Sequence, residues 1–391
     1  MILAIPVAWL QLIHQKTRFF ATLVGVTFVV VLLFVQVGFR DGLFDSAVRI
    51  HESLQGDLFM ISPQYKALTA QQSFSRSRLY QSLGVKGVET VSPLYLQFGK
   101  LRNPETGQKF SIFVFGVDPG ETVFKLPEIN QNISRVSIAD RALFDRESRR
   151  EFGPISEEFS KGHSVEIELA PFNNISQANR LQIDGLFSIG PSFGVDGNLI
   201  VSSSTFFRLF NDRDPTEIDI GLIKLEAGAD LEAVKAALVA ELRSEVEIYT
   251  LKEFVQNEKT YWDVRTPAGF SFRVMVVMGF IVGVGVVYQI LYSNISSCLV
   301  EYATLKAMGH TVKYLFTIVF QQSLLLAILG FIPGALIALG VYSITRNATQ
   351  LPVYMTIHQF LFVLASVVTM CSLSGMVAVG KLRGADPANI F

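Results

Sequence analysis

Long runs without a charged residue constrain this sequence more than any other feature. No Asp, Glu, Lys or Arg occurs in residues 19–39, 274–300, 314–345 or 359–379. A helix needs about 20 predominantly apolar residues to cross a bilayer, so each run is long enough to span one. The sequence therefore predicts an α-helical integral membrane protein with four transmembrane helices.

A hydrophilic stretch of more than 200 residues separates the first of these runs from the second. It alternates strand and helix signals, including a strand pair around an Asn-Pro-Glu-Thr-Gly turn and, near its end, a β-α-β pattern whose helix has Asp230 as its N-cap. This predicts a large α/β extracytoplasmic (periplasmic) domain inserted between helices 1 and 2. The predicted strand pair is 88–101 and 110–117, and the predicted β-α-β elements are 218–225, 230–242 and 246–249.

The charge pattern predicts nine consecutive segments. Apolar residues recur at helical spacing in the first 18 residues, which favours a helix that lies on the membrane surface. The first apolar run is longer than the core of a cleaved signal peptide, which favours a retained anchor. The segments are an interfacial helix 1–18, spans 19–39, 273–297, 315–342 and 359–379, the periplasmic domain 40–272, a cytoplasmic coupling segment 298–314, a short periplasmic loop 343–358, and a cytoplasmic tail 380–391.

The short loops carry a strong bias in basic residues, which sets the expected orientation. Six Lys or Arg residues lie in the N-terminal segment, in 298–314 and in the tail, whereas the loop 343–358 has only Arg346. Because basic residues are enriched in cytoplasmic loops, we expect both termini and the 298–314 segment to be cytoplasmic. Residues 40–272 then face outward.

Residues 299–314, LVEYATLKAMGHTVKY, lie between the second and third spans. As a helix, this segment places Tyr302, Leu305 and Met308 on one face, and Gly309 is a plausible C-cap. The sequence alone leaves two interpretations open, a solvated turn and a short helix that a soluble partner displaces.

The sequence has few motifs that are typical of a catalytic, metal-binding or nucleotide-binding site. Residues 190–194, GPSFG, match the nucleophile-elbow pattern, but the following residues predict a turn into a strand and no suitable histidine follows. The five histidines are scattered, which favours no metal site. The net charge of −1 argues against a nucleic-acid binder. Without a G-x-x-x-x-G-K-[ST] motif, we expect no ATP site of its own, and a membrane-bound enzyme is the least favoured alternative.

The E-x-x-x-L-K-A-M-G motif of residues 301–309 resembles the cytoplasmic coupling loop of the MacB/FtsX-type ABC permeases. The usual glycine after the glutamate is replaced by Ala303. The layout of one span, an outward domain and three spans is similar to that superfamily along the whole chain. The resemblance implies that the segment docks on a separate ABC ATPase, through Glu301, Tyr302, Leu305, Lys306, Ala307, Met308 and Gly309.

Three further stretches are similar to the DevC-type permeases of cyanobacterial glycolipid exporters. They are IPVAWLQL at 5–12 with KTR at 16–18, ADRALFD at 139–145 with FGP at 152–154, and GLF at 185–187 with GPSFG at 190–194. This resemblance implies a multi-pass protein of a cyanobacterial-type inner membrane.

The resemblance also implies partners. They are a second copy of the chain, two copies of the ATPase that hold ATP and Mg²⁺, a periplasmic membrane-fusion adaptor and a TolC-like outer-membrane channel. The cargo would be a lipid or glycolipid taken from the periplasm or outer leaflet, and ATP-driven closure would propel it by mechanotransmission. Two other functions stay open, namely an FtsX-like regulator of a periplasmic hydrolase and a lipoprotein-releasing permease.

Small and apolar residues within the spans suggest two seams for the homodimer. One is the G-x-x-x-G pair Gly279 and Gly283 in the second span, since glycines at this spacing allow close helix approach. The other is Phe28, Leu32 and Val35 in the first span. A second G-x-x-x-G, Gly330 and Gly334, lies in the third span beside Pro333.

Overall fold

A computed structural model describes residues 5–14, 16–172, 178–242 and 245–383. The ends of the predicted interfacial segment and tail, residues 1–4 and 384–391, lie outside the described residues. The chain forms two compact units. One combines the residues before 43 with those after 266, and the other is residues 43–266.

The first unit is helical. Within the described ranges, four helices are long and apolar enough to cross a membrane. They are α2 (Lys16–Ala47), α10 (Pro267–Ser297), α12 (Val312–Thr349) and α13 (Ile357–Arg383), accompanied by the shorter α1 (Ile5–His14) and α11 (Leu299–Ala307). The longest, α12, has 38 residues and so extends about 57 Å, well beyond the hydrocarbon thickness of a bilayer. Each long helix therefore continues past its predicted span.

Two of the membrane helices pack at close range through glycines. A Cβ added at Gly330 would lie 2.6 Å from Val26 Cγ1, and one at Gly334 would lie 2.6 Å from Val30 Cγ1. The Thr27 hydroxyl of α2 also donates a hydrogen bond to the Gly330 carbonyl at 3.3 Å. The small residues of α12 thus form a groove that receives the valines of α2, as expected for membrane helices without bulky residues at the contact.

The second unit is a nine-stranded sheet with short helices. Its strand order is β11-β1-β10-β3-β4-β8-β5-β7-β6. The strands are β1 (Leu58–Ile61), β3 (Val88–Arg102), β4 (Lys109–Val117), β5 (Arg141–Asp145), β6 (Val165–Pro171), β7 (Asn179–Phe187), β8 (Asn198–Ser202), β10 (Ile220–Leu225) and β11 (Glu247–Thr250), with β2 (Phe74–Ser75) and β9 (Glu217–Ile218) forming a separate pair. The helices are α3 (Arg49–Ser53), α4 (Arg76–Gln81), α5 (Pro127–Asn132), α6 (Ile155–Ser160), α7 (Ser203–Leu209), α8 (Leu231–Leu242) and α9 (Leu251–Thr260).

The β-α-β pattern near the end of this unit takes a split form. Both β10 and β11 pair antiparallel with β1, which therefore lies between them. Helix α8 connects the two outer strands, and Asp230 caps it by accepting hydrogen bonds from the backbone of Glu232 at 3.0 Å and Ala233 at 3.3 Å. The predicted elements and cap are confirmed, whereas the insertion of β1 was not predicted.

Six strands of the sheet close into a ring. The second half of β3 pairs with β6, from Gly99 opposite Pro171 to Arg102 opposite Glu168, so that β3, β4, β8, β5, β7 and β6 form a closed barrel. Alternate residues of β4 belong to different apolar clusters, with Ile112 in one and Phe113 in the other. Both faces of this strand are therefore buried.

Candidate functional site

The predicted coupling segment forms the short helix α11 between α10 and α12. Its C-terminus has the hydrogen bonds of a Schellman motif, because the Gly309 N–H donates to Lys306 O at 3.1 Å and the His310 N–H to Leu305 O at 3.2 Å. Gly309 has φ +91, a left-handed conformation that glycine adopts at little cost. The predicted C-cap is confirmed, and residues Leu299–Ala307 form a helix, whereas its displacement by a soluble partner stays a prediction.

One face of α11 is exposed. Val300, Thr304 and Met308 lie along it at a spacing of four residues, and the exposed fractions are 55% for Val300 and 65% for Met308. Glu301, Ala307 and Gly309 are also exposed. Residues spaced by four lie one above another on a helix, so this stripe is a continuous surface with apolar ends. The prediction contained Met308 but missed Val300 and Thr304, which the i, i+4, i+8 spacing could have indicated.

Tyr302 lies on the opposite, buried face of the helix and is 2% exposed. Its hydroxyl donates to Gln322 Oε1 at 3.2 Å, and Gln322 Nε2 donates to Gln11 Oε1 at 2.8 Å. Burial raises the pKa of the Tyr302 phenol, so the hydroxyl stays protonated and can donate. This position differs from the prediction that Tyr302 contacts the ATPase, because a docked protein cannot reach it here.

Gln11 connects α1 to α11 and α12 with both ends of its amide. Its Nε2 donates to Glu301 Oε2 at 3.1 Å, while its Oε1 accepts the hydrogen bond from Gln322. The remaining predicted docking residues are Leu305, half-buried against the helical core, and Lys306, also half-buried. Hydrogen bonds to α1 and α12 thus fix the buried side of α11, whereas the face with Val300 and Met308 is exposed to solvent.

If α11 docks on the ABC ATPase that the sequence resemblance implies, Gln11→Leu should lower ATPase stimulation about threefold to tenfold while leaving ATPase binding nearly unchanged. Leucine keeps the size of the side chain but removes its hydrogen bonds with Glu301, Tyr302 and Gln322, each worth about 1 kcal/mol, that hold α11 against α1 and α12. The ATPase rate and binding affinity of the reconstituted chain provide the measurement. Leu10→Gln, at an exposed neighbouring position, is the control. Normal stimulation by the Gln11→Leu chain would exclude a role of α1 in orienting α11.

The two suggested dimer seams have different surroundings. A Cβ at Gly283 would lie 2.8 Å from Val29 Cγ1 and 2.9 Å from Met370 Sδ, and one at Gly279 would collide with the Gln36 side chain. Helices of the same chain therefore fill the groove beside both glycines, which does not fit their predicted place at a seam with a second copy. Phe28 is 58% exposed, and Leu32 and Val35 are half-buried.

The GPSFG stretch lies in the connection from β7 to β8 and has no helix after it. Ser192 is buried, and its backbone exchanges hydrogen bonds with that of Val195 at 2.9 and 3.1 Å. This is the turn that the sequence predicts and not a nucleophile elbow, which requires a strand followed by a helix. In the part of the chain that the structure describes, no group of three or more His, Cys, Asp or Glu residues could hold a metal ion.

Three solved structures resemble part of this chain. The periplasmic region of MacB from Actinobacillus actinomycetemcomitans has a TM-score of 0.34 and 10% identity, and the match covers 51% of this chain and 90% of that one. The extracellular domain of the noncanonic ABC-type transporter YknZ from Gram-positive bacteria has a TM-score of 0.33 and 15% identity, with coverage of 50% of this chain and 99% of that one. A permease domain from Porphyromonas gingivalis has a TM-score of 0.32 and 15% identity, with coverage of 51% of this chain and 89% of that one. No curated protein matches the sequence.

The family assignment rests on two family models that together cover most of the chain. The MacB-like periplasmic core domain matches residues 19–241, and the FtsX-like permease C-terminal domain matches residues 273–387. Their order agrees with the observed architecture, in which the sheet domain follows the first candidate membrane helix and precedes the other three. The chain therefore belongs to the MacB/FtsX-type family of ABC permeases, whose members work with ABC ATPases.

Proposed function

We propose that this chain is the permease subunit of an ATP-driven export system and that its α11 docks on a separate ABC ATPase that holds ATP and Mg²⁺. The observation that carries the proposal is the two-sided construction of α11. One face is anchored through Tyr302 to the membrane unit, and the other offers Val300 and Met308 to a partner. Buried apolar anchors supply most of the energy of an interface, which such a stripe can provide.

The finer assignment follows the DevC-like stretches of the sequence. In it, two copies of the chain work with two ATPases, a periplasmic adaptor and a TolC-like outer-membrane channel in a cyanobacterial-type inner membrane. ATP-driven closure moves the MacB-like domains, and this mechanotransmission propels a lipid or glycolipid that is already in the periplasm or outer leaflet. The absence of Asp, Glu, Lys and Arg from the four apolar runs supports a pathway outside the membrane helices, because charged groups within the membrane commonly line ion and proton pathways.

Co-purification from the native host, followed by lipid analysis, tests the export function. We expect a tagged chain to retain an ABC ATPase, an adaptor and an outer-membrane channel, with lipid in excess over a mock purification. An ATPase together with a periplasmic hydrolase would instead indicate the FtsX-like regulator. An ATPase with lipoprotein and no channel would indicate the lipoprotein-releasing permease.

The orientation gives a prediction of its own. In a chain with Cys298→Ser and Cys371→Ala, we expect Gln108→Cys to react with a membrane-impermeant maleimide added to cells without an outer membrane. His310→Cys should react only after the inner membrane is opened, because the basic residues favour a cytoplasmic α11. Both positions are solvent-accessible in the structure, since Gln108 and His310 are exposed. The reverse labelling pattern would contradict the proposed orientation.

A further inference from the structure

Two short segments connect the 43–266 unit to the membrane helices. Helix α3 follows the end of α2, and α9 with a π-helical turn, Tyr261–Arg265, precedes α10. The chain enters and leaves the unit through these segments, so they are the covalent connections through which a displacement of α2 or α10 can reach the sheet. The contacts that α3 and α9 make within the unit therefore determine which strands and loops move together with these two helices.

A buried carboxylate links the two connections. Glu258 of α9 is 1% exposed and His51 of α3 is fully buried, with His51 Nε2 3.4 Å from Glu258 Oε2. The same oxygen accepts the Leu68 N–H at 3.0 Å, and the other, Oε1, accepts Trp262 Nε1–H at 2.8 Å. The Tyr65 hydroxyl lies 3.5 Å away. We call His51, Tyr65, Glu258 and Trp262 the Glu258 node.

Breaking the hydrogen bonds of the Glu258 node costs a large free energy. A buried carboxylate that loses its donors keeps the full penalty of desolvation, so its hydrogen bonds hold their elements together strongly. Burial, and next the negative charge of Glu258, raise the pKa of Tyr65 well above its ordinary value, so this hydroxyl also remains a donor. Phe254 packs between the aromatic groups, with its ring centroid 4.4 Å from that of His51 and 5.3 Å from that of Phe59.

The loop 190–194 links the node to the barrel. On the barrel side, the buried Asp145 of β5 accepts hydrogen bonds from Gly190 N–H and Asn198 Nδ2, both at 2.8 Å. On the other side, the Phe193 ring packs edge-to-face on Trp262 with centroids 4.5 Å apart. Arg49 Nη1, from α3, donates to Pro191 O at 3.4 Å. The loop thus contacts both connections and is fixed to the closed ring of strands.

Buried networks stabilise many domains that do not move. The placement of this one is what distinguishes it, since the partners of Glu258 come from both the entering and the leaving segment. The barrel loop reaches the node through the ring of Phe193 on Trp262. Gly190 shows how tightly the loop is fitted. It has φ +86, and a Cβ there would lie 2.6 Å from Arg49 Nη1 and 2.9 Å from Glu147 Oε2. A side chain at this position would be strained by the positive φ and would displace the ends of the Arg49 and Glu147 side chains.

We propose that the Glu258 node makes α3 and α9 a single body and that the 190–194 loop transfers the displacement of this body to the barrel. Glu258, Trp262 and Phe193 are then positioning residues for transport. The inference rests on the proposed function, in which ATP hydrolysis moves the periplasmic domain. It adds the path by which motion of the two membrane helices reaches the strands.

Spin-label distances in the full-length chain test this path without any cargo. One label replaces Lys252 on α9 and the other Glu166 on β6, both exposed, in a chain with Cys298→Ser and Cys371→Ala. We expect a narrow distance distribution in nanodiscs. Phe193→Ala should broaden it about twofold or more, because the barrel loses its contact with Trp262 while each part stays folded.

Two more variants make the result interpretable. Trp262→Phe keeps the ring contact with Phe193 but removes the hydrogen bond to Glu258, and we expect it to broaden the distribution as well. Val264→Ala, at a position that is 57% exposed in the same turn, is the matched control and should leave it narrow. A distribution as narrow for Phe193→Ala and Trp262→Phe as for the control would overturn the proposal.

Tryptophan fluorescence tests the unaltered node. The chain has two tryptophans, so Trp9→Phe leaves Trp262 as the only one. If the node moves as one body, acrylamide should quench Trp262 equally with the ATPase free of nucleotide and with ATP and vanadate. Stronger quenching in the ATP state would mean that the node opens, which contradicts the proposal. A missing response of the ATPase to the permease would instead count against the proposed function, while the distances measured without nucleotide would still decide this inference.

Discussion

Met308→Asp is expected to abolish most of the stimulation of the partner ATPase while leaving the permease folded. Met308 is 65% exposed at the end of α11, next to the Gly309 cap, so the substitution disturbs no internal packing. In a docked complex, the new carboxylate would occupy an apolar pocket. We expect a cost of about 2–4 kcal/mol, which corresponds to binding weaker by about 30-fold to 1,000-fold.

Met308 is exposed in the structure, whereas Leu305 is not. Leu305 is also among the predicted docking residues, but it packs against the helical core, so Leu305→Asp would damage the membrane unit as well as the docking surface. Met308→Leu keeps the apolar surface and is the matched control, for which we expect near-normal stimulation. The measurements are ATPase affinity and hydrolysis rate with the chain in nanodiscs. Normal affinity of the Met308→Asp chain would exclude this face of α11 as the docking surface.

Gly334→Leu is expected to destabilise the membrane unit severely. An added Cβ would lie 2.6 Å from Val30 Cγ1 and 3.2 Å from the Thr27 carbonyl oxygen, so α2 and α12 must separate to make room. Because overpacking by even a few methylene groups costs about 1–3 kcal/mol, we expect a loss of at least about 3 kcal/mol for leucine. The substitution should reduce the amount of folded chain recovered from membranes and lower its melting temperature in detergent.

The same helix offers a matched control for this experiment. Gly340 of α12 has no atom within 4 Å of an added Cβ, so Gly340→Leu should change the melting temperature little. A second arm combines Gly334→Ala with Val30→Ala, which removes the Val30 Cγ1 methyl group nearest the new Cβ but keeps Val30 Cβ at 2.7 Å, and should recover part of the stability lost by Gly334→Ala alone. Equal melting temperatures for Gly334→Leu and Gly340→Leu would show that α2 and α12 do not need this close approach.

The sequence alone determined the architecture of this protein. An uncharged run that is long enough to cross a bilayer favours a membrane helix. In lipid, backbone N–H and C=O groups without hydrogen bonds are too costly, and a helix pairs all of them within one segment. The alternation of apolar residues and the turn at 103–107 predicted the β3–β4 pair, and Asp230 and Gly309 marked helix ends through local hydrogen bonding. All of these signals act over a few residues, and so they can be recognised without the rest of the fold.

Tertiary structure decided which partner each surface has. The spacing on α11 placed Tyr302 and Met308 on one face, but the polar partners Gln11 and Gln322, distant in sequence, draw Tyr302 inward and leave Met308 exposed. A G-x-x-x-G likewise shows that a helix can be approached closely, and only packing shows that Val29 and Met370 of the same chain do so at Gly283. Periodicity fixes the direction of a side chain on its own element, whereas the group that it meets depends on residues far away in the chain.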